Sequence, residues 1–238
     1  MLANEAAQDA IAQNLANAGT TGYKRDLPQF QSFPETLLRR VTGAAGPSVG
    51  GLGPGAGLSA LATDFSGGAL QQTGNPLDVA LTGDAYLAVQ TPQGVRYSRD
   101  GALTRDAQGL LVQANGQGAV LDQSGRPISL PARAKDITIS PRGDVRADGV
   151  SVGQLQLVSV TRTTGASKQG DNLFAQASAA PAGPDATVHQ GYLEASNVNV
   201  VQEMVAMIAV QRAYETDQKM VQAEDDATNK AVNDVPKV

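Results

Sequence analysis

Leu77-Asp78-Val79-Ala80-Leu81-Thr82-Gly83-Asp84-Ala85-Tyr86-Leu87-Ala88-Val89-Gln90 is the stretch on which the fold turns. Two short apolar runs, Leu77 to Leu81 and Tyr86 to Gln90, flank Gly83-Asp84, a dipeptide that turns the chain easily. That pattern belongs to paired strands and not to a helix. Moving outward, the same signal repeats at Leu110 to Gln113, Ile137-Thr138-Ile139 and Gln154-Leu155-Gln156-Leu157-Val158. Asp100-Gly101, Gln108-Gly109, Asn115-Gly116, Ser124-Gly125, Arg142-Gly143-Asp144 and Asp148-Gly149 punctuate it. Strands spaced about 8–12 residues apart predict an antiparallel sandwich or barrel, here a β-rich domain over 77–185.

Composition agrees. The 238 residues include five Tyr, four Phe and no Trp, so Val, Leu, Ile and Ala must build the core. With 26 Gly and 12 Pro the chain is rich in turns, which favours β-structure.

Beyond the β-zone both ends read as helices. From Met1 to Asn17, Ala3, Ala7, Ile11, Asn14 and Ala18 fall on one stripe with Leu15 beside it, and Gly19 stands where a C-cap is expected. From Asn199 to Asn233 the chain reads as one long helix, with Asn199 as N-cap and Glu203 near the positive end. Val200, Met204, Met207, Gln211, Tyr214, Gln218 and Val221 form a heptad seam, widened by Val201, Val205 and Ile208. A short helix is marginal alone in water, so the two ends are expected to pair. Between the N-terminal segment (1–24) and the β-rich domain, residues 25–76 read as an extended linker. It contains the Gly/Pro/Ala/Ser-rich stretch Val41 to Gly57. A second such loop, Ser178 to Asp185, precedes the C-terminal helix and its lead-in (186–238).

Chemistry has few tools here. The absence of Cys removes disulfides, thiolate metal sites and a thiol nucleophile. The lone His189 cannot build a multi-histidine metal site and has no Gly-x-Ser-x-Gly elbow to serve. Asp100, Asp106 and Asp122 sit beside Gly-containing turns without the spacing of a calcium loop, so no catalytic residue, metal or cofactor is assigned. A net charge of -5 argues against nucleic-acid binding. No run reaches the length of a membrane span, and the N-terminus lacks the pattern of a secretory signal. Arg142-Gly143-Asp144 motivates an adhesin-like binding module as a rival reading, although Gly-Asp is ordinary turn chemistry.

Three ordered blocks carry a resemblance. Gln13-Asn14-Leu15-Ala16-Asn17-Ala18-Gly19-Thr20-Thr21-Gly22-Tyr23-Lys24 resembles the N-terminal signature of the flagellar rod and hook axial proteins. Gln72-Thr73-Gly74-Asn75-Pro76-Leu77-Asp78-Val79-Ala80-Leu81 with Gly83-Asp84, followed by Tyr97-Ser98-Arg99-Asp100-Gly101, resembles their central block. Gln190 to Val200, Met204 to Ile208 and Gln211-Arg212-Ala213-Tyr214-Glu215 resemble their C-terminal signature.

The resemblance implies a subunit of mixed α and β class, with terminal helices paired in a coiled-coil-like inner layer and the β-domain outside. It implies passage through the flagellar export apparatus and assembly with itself and with other rod or hook subunits in a periplasmic rod. No direct membrane insertion is implied. The stretch Asp64-Phe65-Ser66-Gly67-Gly68-Ala69-Leu70 leans toward the proximal rod protein, whereas Ser196-Asn197-Val198-Asn199-Val200-Val201 leans toward the distal one. A hook-type axial subunit is the further alternative.

Carried onto this sequence, the N-terminal assembly interface comprises Ala7, Ile11, Asn14, Leu15, Asn17, Gly22 and Tyr23. The C-terminal interface comprises Leu193, Ser196, Asn197, Val198, Val200, Met204, Met207, Ile208, Gln211, Arg212 and Tyr214. Two departures stand out. Family members begin roughly ten residues earlier, two or three helical turns, so the first helix is expected to be incomplete here. Where they carry Gly-Asp-Gly before an aromatic pair, this chain has Gly83-Asp84-Ala85-Tyr86-Leu87. An Ala there is costly if the position needs a positive φ angle.

Overall fold

The computed structural model describes residues 2–32, 36–39, 48–52, 56–160, 166–170, 172–175 and 180–234. The chain divides into two units: Met1–Leu15, Asp26–Ala62 and Val200–Val238 form one, and Ala16–Arg25 with Thr63–Asn199 form the other.

The first unit holds both helices, α1 (Leu2–Ala16) and α2 (Val200–Asp234), where the apolar periodicity predicts them. α1 buries Ala7, Ala10, Ile11 and Asn14, one face of a 3.6-residue period. α2 begins directly after Asn199 and carries Glu203 in its first turn. Past α1 the left-handed residue is Gly22, with φ 66°, and not Gly19.

Residues 25–76, read from the sequence as a linker, contain regular structure. Strand Asp26–Ser32 pairs with Ala56–Thr63, and Thr36–Arg39 pairs antiparallel with Ser48–Leu52. In the first of these ribbons Phe30 is 49% and Leu61 is 52% exposed, so burial imposes no in/out alternation for periodicity to detect. Within the Gly/Pro-rich stretch, residues 41–47 and 53–55 lie outside the described residues, as do 178–179 of the second loop.

The second unit is β-rich and antiparallel. Its central strand, Ala85–Thr91, pairs along one edge with Gly94–Ser98. Its other edge is shared by Ala119–Val120 and Leu157–Ser159. Further strands extend the sheet to Ser167–Gln169 on one side and Leu103–Arg105 on the other. Alternation along the central strand sorts its side chains into two cores. Ala85, Leu87 and Val89 join Val79, Leu81, Leu111 and Val120. Tyr86 and Ala88 join Tyr97, Leu121, Val158 and Phe174. Both faces are therefore dry, which explains why the strand reads as a nearly continuous apolar run.

Turn chemistry follows the sequence at the hairpin joining Asp144–Ala147 to Val150–Gln154. Asp148 (φ 49°) and Gly149 (φ 81°) make the two-residue loop, as a type I′ turn requires. At the departure before the aromatic pair, the positive φ angle belongs to Gly83 (71°), while Ala85 starts the central strand and is fully buried. Alanine fits there because the backbone is extended.

Candidate functional site

Two places bring the expected residues together, one in each unit. In the helical unit, Asn14 Nδ2 donates to Glu203 Oε2 at 3.5 Å and Asn4 Nδ2 donates to Asp217 Oδ2 at 3.0 Å. Residues 4 and 14 thus meet 217 and 203, so α1 and α2 run antiparallel. Asn14 also clamps the chain that follows: its amide donates to the Asp26 carbonyl at 2.8 Å, and its Oδ1 accepts the Asp26 N–H at 2.9 Å. That buried amide is satisfied on both sides, which fixes α1 against the strand that starts at Asp26.

Along α2 the heptad seam does not lie on one side. Met207 and Tyr214 are half-buried, whereas Val200, Gln211 and Arg212 are exposed, with Met204 at 52% and Ile208 at 51%. Val205, Met220 and Val221 are exposed as well. Ala7, Ile11 and Asn14 are buried on α1, and Leu15 is half-buried.

In the β-rich unit the other expected residues converge at a junction. Tyr23 is fully buried, Gly22 is buried, and Asn17, Leu193, Ser196, Asn197 and Val198 are half-buried. The Gly22 N–H donates to the Glu194 carbonyl at 2.9 Å, and the Arg25 N–H donates to Asn197 Oδ1 at 2.8 Å. Asn197 Nδ2 in turn donates to the Asp64 carbonyl at 2.9 Å. Space is tight where these segments touch: a Cβ added at Gly22 falls 2.5 Å from the Arg99 carbonyl carbon, and one at Gly68 falls 1.9 Å from the Ala195 oxygen. Lys168 covers the Tyr23 ring, its Nζ 3.8 Å from the centroid.

Charged side chains fill the centre. Glu194, 1% exposed, accepts from Lys24 Nζ at 2.7 Å and from Arg99 Nε at 2.5 Å. The Gly68 N–H adds a third bond at 2.8 Å. Arg99 spends its other donors on the carbonyls of Leu81, Gly83 and Ala85, and its guanidinium lies over the Tyr86 ring. Lys24, fully buried, also donates to the Ser66 carbonyl at 2.7 Å. Burial pushes the Glu194 carboxyl up, but Arg99, Lys24 and the Gly68 amide outweigh it and hold the group below the ordinary glutamate value. Burial also lowers the Lys24 ammonium, and Glu194 offsets that only in part.

Beside this triad Asp100 is buried among neutral donors. Its carboxylate accepts from Thr21 Oγ1 at 2.6 Å, from the Ala102 N–H, and from the amides of Asn115 and Asn172 at 3.1 Å each. Burial raises its pKa despite those bonds. Four donors saturate the carboxylate, and among the described residues no His/Cys/Asp/Glu group could hold a metal ion. Asp106 and Asp122 accept backbone N–H groups of their own turns. Asp144 accepts Ser140 Oγ at 2.8 Å, so the Arg-Gly-Asp carboxylate also serves its own turn. His189 lies in strand Thr187–Gln190 against Thr187 Oγ1. Among the described residues no helix is long and apolar enough to cross a membrane.

Sequence reasoning does not single out Lys24, Arg99 or Glu194 as site residues, and it weighs Asp100 only as a carboxylate beside a turn. Each lies inside one of the three blocks, and a charge within an otherwise apolar or turn-forming block was the signal available.

Comparison with known proteins matches three regions of the chain, which overlap these blocks. Residues 1–24 match the model described as "Flagella basal body rod protein", residues 80–147 the "Flagellar hook protein FlgE/F/G D1 domain", and residues 189–234 the "Flagellar basal body rod FlgEFG protein C-terminal". The flagellar basal-body rod protein FlgG of Agrobacterium fabrum is 36% identical over 92% of this chain and 89% of its own length. The chain belongs to the flagellar basal-body rod protein family. Within that family, FlgF of Caulobacter vibrioides is 33% identical over 97% of this chain and 92% of its own. FlgG of Bacillus subtilis is 32% identical over 94% and 92%. These are structural rod proteins and not enzymes. Each of the three matched regions contributes one member of the triad: Lys24, Arg99 and Glu194.

Proposed function

We propose that this chain is a structural subunit of the bacterial flagellar basal-body rod that polymerises helically through α1 and α2. The observation that supports this reading is the exposed apolar stripe Val200, Met204 and Ile208 on α2, spaced one helical turn apart and flanked by Val205. A helix that presents such a surface to solvent is suited to bury it against neighbours. Identical subunits contacting through unlike surfaces build an open helical assembly when the rotation does not close. Its partners are then copies of itself and other rod or hook subunits, and the flagellar export apparatus carries it to a periplasmic position. Of the residues assigned to assembly from the sequence, the exposed Val200, Met204, Ile208, Gln211 and Arg212 are the ones proposed to touch neighbours. The buried ones hold the subunit itself together.

We place the subunit in the proximal rod on the likeness of its Asp64 to Leu70 stretch. The distal position is the second reading, motivated by the likeness of Ser196-Asn197-Val198-Asn199-Val200-Val201 and Gln211-Arg212-Ala213-Tyr214-Glu215 to the distal protein. An in-frame deletion, scored for swimming with basal bodies imaged by electron microscopy, tests both. A basal body lacking nearly all of its rod supports the proximal position. One with a rod built and then stopped short supports the distal one. Swimming cells with complete rods overturn the proposal. Met204→Asp and Ile208→Asp expressed in the deletion strain test the surface: a stable monomer absent from basal bodies is expected, and normal incorporation refutes the assignment of this face.

A further inference from the structure

Within the β-rich unit a cavity of about 560 Å³ lies beside the Arg142-Gly143 turn and shares no lining residue with the charged junction. Sites for small molecules and short peptides have this size. Its walls are fastened to one another by the main chain. The Leu155 N–H donates to the Gly143 carbonyl at 2.8 Å, the Gln123 N–H to the Gln154 carbonyl at 3.1 Å, and the Ala182 N–H to the Leu157 carbonyl at 3.1 Å. Gln154 Nε2 donates to the Arg142 carbonyl at 3.1 Å. The cavity is therefore built into the fold.

Its lining combines aliphatic surface with polar groups that the fold leaves unused. Leu155, Leu157, Pro181 and Pro184 supply the first, and the side chains of Gln123, Arg142 and Gln156 the second. Among the described residues these three polar side chains make no hydrogen bond or ion pair, whereas Gln154 spends its amide on the Arg142 carbonyl. No aromatic ring among the described residues lines the cavity, so a sugar or nucleobase has nothing to stack on. No His, Asp or Glu among them lines it either, so it offers a cation no carboxylate. What remains is a guanidinium, which matches a carboxylate, and primary amides, which donate and accept as a peptide group requires.

We propose that this cavity binds a short extended peptide segment of another protein. Arg142 takes a carboxylate of that segment, Gln123 and Gln156 take a peptide group, and Leu157 with the two prolines covers an aliphatic side chain. A second copy of this chain fits less well. Outside the helices, Val150 alone among the exposed large hydrophobic residues described has a carboxylate within two positions, and that carboxylate, Asp148, already accepts the N–H groups of Lys135 and Asp136. The proposal goes beyond the rod assignment and does not depend on it.

Nuclear magnetic resonance of the full-length chain tests it, with acetyl-Leu-Ala-Asp-amide as the probe. The peptide is expected to move the side-chain amide signals of Gln123 and Gln156 saturably at millimolar concentration. Acetyl-Leu-Ala-Lys-amide should bind at least about tenfold more weakly, the scale of one charge-assisted contact. Arg142→Gln should weaken the acidic peptide by about the same factor with the Leu121 amide signal unmoved. Arg142 is exposed, so this variant keeps the core intact. Absence of saturable shifts overturns the proposal, and so does equal binding of the two peptides or full affinity in Arg142→Gln. Sedimentation of the chain alone tests the other occupant: self-association that Arg142→Gln abolishes assigns the cavity to a second copy and overturns the proposal as well.

Discussion

Lys24 Nζ and Glu194 Oε1 lie 2.7 Å apart although 170 residues separate them in the chain. Glu194 also holds Arg99, so one carboxylate joins all three matched regions of the sequence at a single buried point. Two cations on one anion are stable there because carbonyls and an aromatic face take up the remaining donors. The bonds at this point are mutually dependent, which makes the carboxylate the sensitive member.

Glu194→Gln is expected to cost about 3–5 kcal/mol of stability, since it leaves buried cations without a counter-charge. Urea unfolding followed by circular dichroism measures it. Lys24→Met, which leaves the Arg99–Glu194 pair intact, should cost clearly less, and equal losses would contradict this charge balance.

Acid tests the same residue. The Glu194 pKa is depressed in the folded state, so its contribution is present above the ordinary value of 4.5 and is lost as pH falls through the folded value. The stability difference between wild type and Glu194→Gln should therefore be widest near neutrality and shrink below about pH 4.5. Asp100 works in the opposite sense. Its raised pKa means the folded chain binds its proton more readily above 3.8, which stabilises the fold on acidification. Asp100→Asn removes that term, so this variant should lose stability more steeply in acid than the wild type. Urea midpoints between pH 3.5 and 8 decide both signs.

Gly22 combines a positive φ angle with a backbone contact that leaves no room for a side chain. Gly22→Ala should cost about 2–4 kcal/mol, roughly 1 from the dihedral and the rest from displacing the Arg99 backbone. Gly74 has a similar φ of 74° but open space around it, so Gly74→Ala should cost only about 1 kcal/mol. Comparable melting shifts for the two would show that the close approach at Gly22 is relaxed in solution.

On the helices, exposure predicts opposite outcomes for the same substitution. Met204→Asp should change monomer stability by no more than about 0.5 kcal/mol because that side chain is largely solvated. Ile11→Asp places a carboxylate on the buried face of α1 and should detach that helix, seen as lost helical signal at 222 nm. A destabilised Met204→Asp monomer would mean that this face is already covered within the chain.

The sequence by itself determined the two helices, the antiparallel β-rich centre, most of its turns and the family. Each of these depends on neighbours within a few positions: the 3.6-residue recurrence of Ala7, Ile11 and Asn14, the paired runs around Gly83-Asp84, and Asp148-Gly149 in its hairpin. The tertiary structure decided the rest. Nothing local to Lys24 specifies Glu194 as its partner, because an ion pair between remote segments depends on how the strands are ordered and not on spacing along the chain. The strands within residues 25–76 escaped for a related reason, since an exposed ribbon imposes no alternation. Likewise, the heptad seam of α2 divides between half-buried Met207 and exposed Met204, because periodicity marks a stripe without saying what covers it.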